Sequence, residues 1–222
     1  MAYEFEHEFW LKTDGSGSFV VTAPPWVWNA VKNVGDPKNP DATVNEQTVA
    51  ALFQTPAISN LRVRKVTREG RPYITVAADF TDLNALPGTS AFPDLEIALR
   101  PEGEKLRLAG VWRRPASSGS AQGDDAGLMA VRFHLPSEIF EHKNAFGGVE
   151  RGNILSWRQD LRRGLGGSSL DFGATMGSTS VLSATLGLFG LAILTGLAVM
   201  GAALYFFARR VRTAQAGSAA IL

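Results

Sequence analysis

His7, His134 and His142 are the only imidazoles in a chain of 222 residues, and two of them share a carboxylate in a pattern suited to metal binding. His134, Glu138 and His142 are spaced by four, which on one helix would align three ligands. Pro136 interrupts such a helix between the first two, so no metal site is expected. His7 alternates with aromatic residues and reads as a hydrogen-bonded sheet residue. Asp124-Asp125 lies in a Ser/Gly-rich stretch too loose to hold a catalytic geometry. The glycines at Gly147-Gly148 and from Gly164 to Gly167 lack the lysine and following helix of a phosphate loop. No serine, histidine and acid are set in a nucleophile elbow. The chain has no cysteine, which excludes disulfides, thiolate metal sites, thiol-anchored haem and a cysteine nucleophile. The sequence therefore predicts no catalytic residue, no metal and no bound cofactor.

What remains are residues suited to binding. Arg62, Arg64, Lys65, Arg68 and Arg71 straddle a turn, either as a solvated strand face or as a contact for anionic headgroups or an acidic partner. Trp26 and Trp28 follow a proline pair. They either dip into a bilayer or fill a partner's pocket, or else cap their own core.

The elements that must position these residues are mostly strands. Tyr3, Phe5, His7, Phe9 and Leu11 alternate with Glu4, Glu6, Glu8 and Lys12, a half-buried strand. Asp14-Gly15-Ser16-Gly17 turns the chain back through Phe19, Val21 and Ala23. Pro24-Pro25 stops it, and residues 26–34 make a short helix. Thr43 to Glu46 reads as a capping box opening a second helix through Gln54, with Val49, Leu52 and Phe53 inward. Hairpins follow over 61–80 and 95–112, the second with Leu106, Leu108 and Trp112 on one face. Residues 116–127 form a flexible loop, 128–135 a strand, and 137–152 an irregular or briefly helical stretch. Asn153 to Gln159 reads as a further strand, with a last one near 169–175. The sum is an α+β domain over 1–175: a curved, mostly antiparallel sheet with one or two packed helices.

Residues 181–208, VLSATLGLFGLAILTGLAVMGAALYFFA, are of a different kind. They hold no charged residue, and a helix of about 20 apolar residues crosses the hydrocarbon, so they predict a single transmembrane helix after a linker at 176–180. Tyr205, Phe206 and Phe207 sit where an aromatic belt meets headgroups, and Arg209, Arg210 and Arg212 follow in a short tail, 209–222. Ser183/Gly187, Ala192/Gly196 and Ala198/Ala202 are small pairs at fourfold spacing that let another helix approach. Setting aside the three tail arginines leaves 19 basic against 21 acidic residues, too little positive charge for a nucleic-acid binder. The positive-inside bias places the tail in the cytoplasm and the domain outside. The opening MAYEFEHEFW has neither a basic n-region nor an apolar h-region. An exported domain thus needs a signal upstream of Met1; the alternative is a cytoplasmic domain held by its tail.

The order of elements resembles that of the LppM-like membrane-anchored lipoproteins of bacteria. Carrying the resemblance are Asp14, Gly15 and Gly17 in the first hairpin, Leu135 and Pro136 after the strand at 128–135, and Asn153 and Trp157 in the next. The resemblance implies an exported, non-enzymatic domain with lipid binding as its candidate activity. Family members begin after a lipobox cysteine, which this sequence does not contain. Two expectations follow. One is an accessory subunit, docked on integral membrane subunits and on the bilayer, of a larger complex, with an energy-transducing one as the candidate. The other is a lipid or small-ligand carrier, which requires an apolar hollow of at least about 300 Å³.

Overall fold

A computed structural model describes residues 3–32, 34, 44–113, 127–179, 190 and 192–201. The alternation at the start of the chain builds β1 (Tyr3–Leu11), which returns antiparallel as β2 (Gly17–Ala23). The carboxylate of Asp14 accepts from the Ser16 amide at 2.9 Å and the Ser16 hydroxyl at 2.7 Å, which fixes the turn between them. Gly17 is required where the hairpin closes: a Cβ there would lie 2.1 Å from the Trp10 carbonyl and 2.7 Å from Phe80. α1 (Pro25–Lys32) begins with proline at its first position, where the missing N–H costs nothing.

α2 (Glu46–Leu52) forms where expected, but with a different cap. Asn45 accepts from the Gln47 amide at 2.8 Å, while the Glu46 carboxylate accepts from the Lys65 amide at 3.0 Å and ties the helix to β3 (Ile58–Arg68). Thr43 lies outside the described residues. β3 pairs with β4 (Arg71–Phe80) through Glu69-Gly70, whose φ angles of 50° and 78° suit a tight hairpin turn. A single helical turn at Leu83–Ala85 leads to β5 (Leu95–Glu102) and β6 (Lys105–Trp112). Then come β7 (Leu128–His134), β8 (Ile139–Lys143), β9 (Ile154–Asp160), α3 (Leu161–Leu165) and β10 (Leu170–Gly177). β8 is a strand within the stretch 137–152 that the sequence suggested as irregular or briefly helical, and residues 144–152 are irregular. β10 runs two residues into the stretch read as a linker, and Met176 is buried there. Most of the loop read at 116–127 falls outside the described residues.

The α+β class holds, but the strands form two sheets rather than one. Six run in the order β3-β4-β2-β1-β7-β9, and four in the order β5-β6-β10-β8. All described pairings are antiparallel except β1 with β7. The sheets share one core, with α1, α2 and α3 contributing to the same side of the larger sheet. Aromatic rings fill the space between the layers: Phe9 stacks on Phe133 at 4.7 Å, and Phe172 of the second sheet meets Phe133 at 5.9 Å and Trp157 at 5.6 Å.

These contacts fix the direction of β10. Trp112, which pairs with Leu170 at the start of β10, meets Phe5 at 6.0 Å, and Phe172 meets Phe133 further along. β10 therefore runs the same way as β1 and β7. Its last residue, Gly177, reaches the end of the domain beyond β7, where its amide donates to the Glu138 carbonyl at 3.0 Å.

The chain divides into Met1–Ser180 and Val181–Leu222. In the second unit, residue 190 and residues 192–201 are helical, and the large side chains of Ile193, Leu194, Leu197, Val199 and Met200 are 54 to 66% exposed. Among the described residues no helix is long and apolar enough to cross a membrane. The remainder of 181–208 lies outside them.

Candidate interaction face

β1 alternates, so it sends Phe5, His7, Phe9 and Leu11 into the core and Glu4, Glu6, Glu8 and Trp10 to the opposite face of the larger sheet. The neighbouring strands bring cations to that row of carboxylates. Arg71 donates to Glu4, which also accepts from the Tyr73 hydroxyl at 2.9 Å. Arg68 lies 3.7 Å from Glu6, and both Arg68 and Arg71 lie over the Tyr73 ring, at 5.4 and 5.8 Å. From β7, Arg132 reaches Glu6 at 3.4 Å and Glu8 at 3.6 Å. His134 meets Glu8 at 2.7 Å and stacks on the Trp10 indole at 4.7 Å between ring centres.

Most of these groups hold one another, so the face has a fixed charge pattern. Glu4 is buried, and its carboxylate raises the pKa of Arg71 through their hydrogen bond and charge. Burial, followed by the hydrogen bond to Glu4, raises that of Tyr73. Trp10 is 37% exposed, an unusual position for an indole on a sheet surface.

Arg62, Arg64 and Arg68 belong to this same face, exposed on the edge strand β3. In register, Arg62 pairs with Ala77 and Arg64 with Thr75, while Arg68 lies level with the start of β1. The row thus runs toward the end of the domain away from Gly177, where the chain leaves.

The two tryptophans separate. Trp28 is 1% exposed, donates its indole N–H to the Ile74 carbonyl at 3.2 Å and meets Phe53 edge-on at 6.1 Å. It is a core residue and not a docking residue, because α1 turns that side onto the sheet. Trp26 is half-buried and packed against the same core.

His7 sits on β1 as the alternation requires, facing the core. It is buried between the rings of Phe5 and Phe92, and its Nδ1 has no hydrogen-bond partner among the described residues. Burial, and next the nearby Lys32 charge, pull its pKa down to about 3. Lys32 is itself enclosed, donating to the Ala91 carbonyl at 2.8 Å and lying 4.0 Å from Asp94. Burial lowers its pKa to about 8 against the opposing pull of Asp94.

The fourfold spacing of His134, Glu138 and His142 does not bring them together as one ligand set. His134 is taken by Glu8, whereas His142 lies exposed on β8 opposite Ala174. No group of three potential ligands occurs among the described residues. A depression of about 330 Å³ exists, but on the second sheet, with Arg107, Glu141, Lys143 and Asp171 in its lining. It is not the apolar interior that a carrier requires.

Of the small residues assigned to helix contact, Ala192, Gly196 and Ala198 lie exposed in the described helical segment. Ser183, Gly187 and Ala202, like Arg209, Arg210 and Arg212, lie outside the described residues. Sequence reading missed Glu4 and Tyr73, the Trp10–His134 stack and the Lys32–Asp94 pair. Only the strict alternation of β1 hinted at the first of these.

No family model matches this sequence, and no curated protein matches it. Among solved structures, the chain is loosely similar to the NMR structure of the folded domain of LppM from Mycobacterium tuberculosis. The similarity covers 82% of this chain and 94% of that one, at 14% identity and a TM-score of 0.45.

Proposed function

We propose that this chain is a non-enzymatic accessory subunit of a larger membrane assembly. In this reading 181–208 spans a bacterial inner membrane, the domain stands in the periplasm and the basic tail lies in the cytoplasm. The observation that carries the reading is the outer face of the six-stranded sheet. All three helices and the second sheet contribute to the core on its other side, and the outer face holds an ion-paired lattice beside an exposed indole.

Such a surface suits a protein partner with matching charges. Its side chains are already held, so binding costs less ordering entropy, and alternating signs select for register. Arg62 and Arg64, exposed beside the lattice, favour an acidic contact on that partner. The exposed apolar side chains at 192–201 support burial of that helix in lipid or against other helices. The small residues from Ser183 to Ala202 would let neighbouring helices come close.

The test is mild detergent extraction of native membranes followed by native electrophoresis. The chain should migrate within a large complex. A chain carrying Arg64→Glu, Arg68→Glu and Trp10→Ala should fall to its own mass while still inserting into the membrane. Migration of the unaltered chain at its own mass would overturn the reading.

A further inference from the structure

We infer that Phe140 and Lys105 form a foot that seats the domain on the headgroup layer of its own membrane. This inference rests on the reading of 181–208 as a span, because it uses where the chain leaves the domain.

That exit is firmly held. Ser137 donates its hydroxyl to the Gly177 carbonyl, Gly177 donates to the Glu138 carbonyl at 3.0 Å, and Ser178 donates to the Glu104 carbonyl at 3.1 Å. The last residues of β10 are therefore pinned from β8's side and from the β5–β6 turn. Val181 follows Gly177 by four residue steps, a reach of at most about 14 Å. With the hydrocarbon beginning at Val181, whatever surrounds Gly177 lies within the headgroup zone or just above it, since the polar layers add roughly 5 to 7 Å on each side of the hydrocarbon.

Phe140 is what surrounds it. Its ring tip lies 3.9 Å from where a Cβ on Gly177 would stand, yet the side chain is 48% exposed. Nothing in β8 requires an aromatic residue there, since of its five residues only Ile139 is even half-buried. The Lys105 ammonium lies 5.1 Å from the centre of the same ring. An aromatic ring beside a flexible cation is the pairing that suits the water–lipid boundary, the ring among glycerol and upper acyl carbons and the ammonium on a phosphate.

Glu104 and Glu138 are exposed at the same rim. They offset attraction to anionic lipid, so the contact should rest on the ring and on phosphates common to all phospholipids. It should depend little on lipid charge or salt. Phe146, 52% exposed with Arg158 over its ring at 3.0 Å, serves as a contrast. It follows Lys143, which pairs with Gly173, four residues and about 13 Å up the strand from Gly177.

The absence of native cysteine allows single-site labelling of the full chain. Phe140→Cys, Phe146→Cys and Ala198→Cys, each carrying an environment-sensitive NBD dye, are reconstituted in phosphatidylcholine vesicles with or without phosphatidylglycerol. Nitroxide-labelled lipids are then used as quenchers. The expected result is several-fold stronger quenching at position 140 than at 146, equal in both lipid mixtures and at high salt, with strong quenching at 198. Quenching at 198 but not at 140 would overturn the foot and leave the span standing. No quenching at 198 would overturn both. Quenching at 140 that vanishes without phosphatidylglycerol would overturn the charge-independent contact inferred here.

Discussion

His7 shows what a single buried group does to the whole protein. In the unfolded chain its imidazole takes up a proton below about 6.5, but in the fold burial and Lys32 hold that proton off until about 3. The unfolded state then binds the extra proton across this window. Stability from this site is thus complete above pH 6.5 and lost as pH falls toward 3, by roughly 5 kcal/mol in total. Lys32 acts in a different window: its folded pKa is near 8, so between there and its ordinary value its contribution makes stability rise with pH. Urea titrations at a series of pH values should show a steep loss of stability on the acid side. His7→Leu, which keeps an apolar filling and removes the proton, should make that loss clearly shallower. At this scale the sequence was readable wherever alternation decided burial, as for Phe5, Phe9 and Leu11. It was silent where a distant partner decided it: Glu4 is buried because Arg71 and Tyr73, nearly seventy residues away, arrive beside it.

Hairpins and the first two helices could be recognised among the elements because turn residues and apolar spacing act locally. The division into two sheets could not, since β5 and β6 alternate just as β1 and β2 do and nothing in that pattern names the neighbour. β8 was hidden for another reason. Its five residues carry almost no buried surface, so it exists chiefly through hydrogen bonds to β10. A strand held by its ladder at a sheet edge opens more readily than one held by packing. Hydrogen exchange should therefore find the β8 amides losing protection well before those of β7 and β9, whose Phe133 and Trp157 lie in the core. If β8 proved as slow as β9, some further contact would have to cover it. The cap of α2 illustrates a smaller shift: Thr43 to Glu46 had the spacing of a capping box, yet Asn45 does the capping and leaves Glu46 free to bind β3.

At the scale of the whole molecule the two units have different sources of order. Among the described residues, every member of the buried core falls at or before Met176. The domain's cohesion should then be independent of the segment that follows. A chain ending at Ser180 is expected to unfold at the same urea midpoint, and with the same slope, as the full chain held in mild detergent. The slope matters because it tracks the surface exposed on unfolding, and an unchanged value means that the same core comes apart. A lowered midpoint would mean that 181–222 packs on the domain and stabilises it, contrary to an apolar helix that finds its burial elsewhere. With equal midpoints, the exposed leucines, isoleucine, valine and methionine of 192–201 are left to be covered by lipid or by another protein's helices.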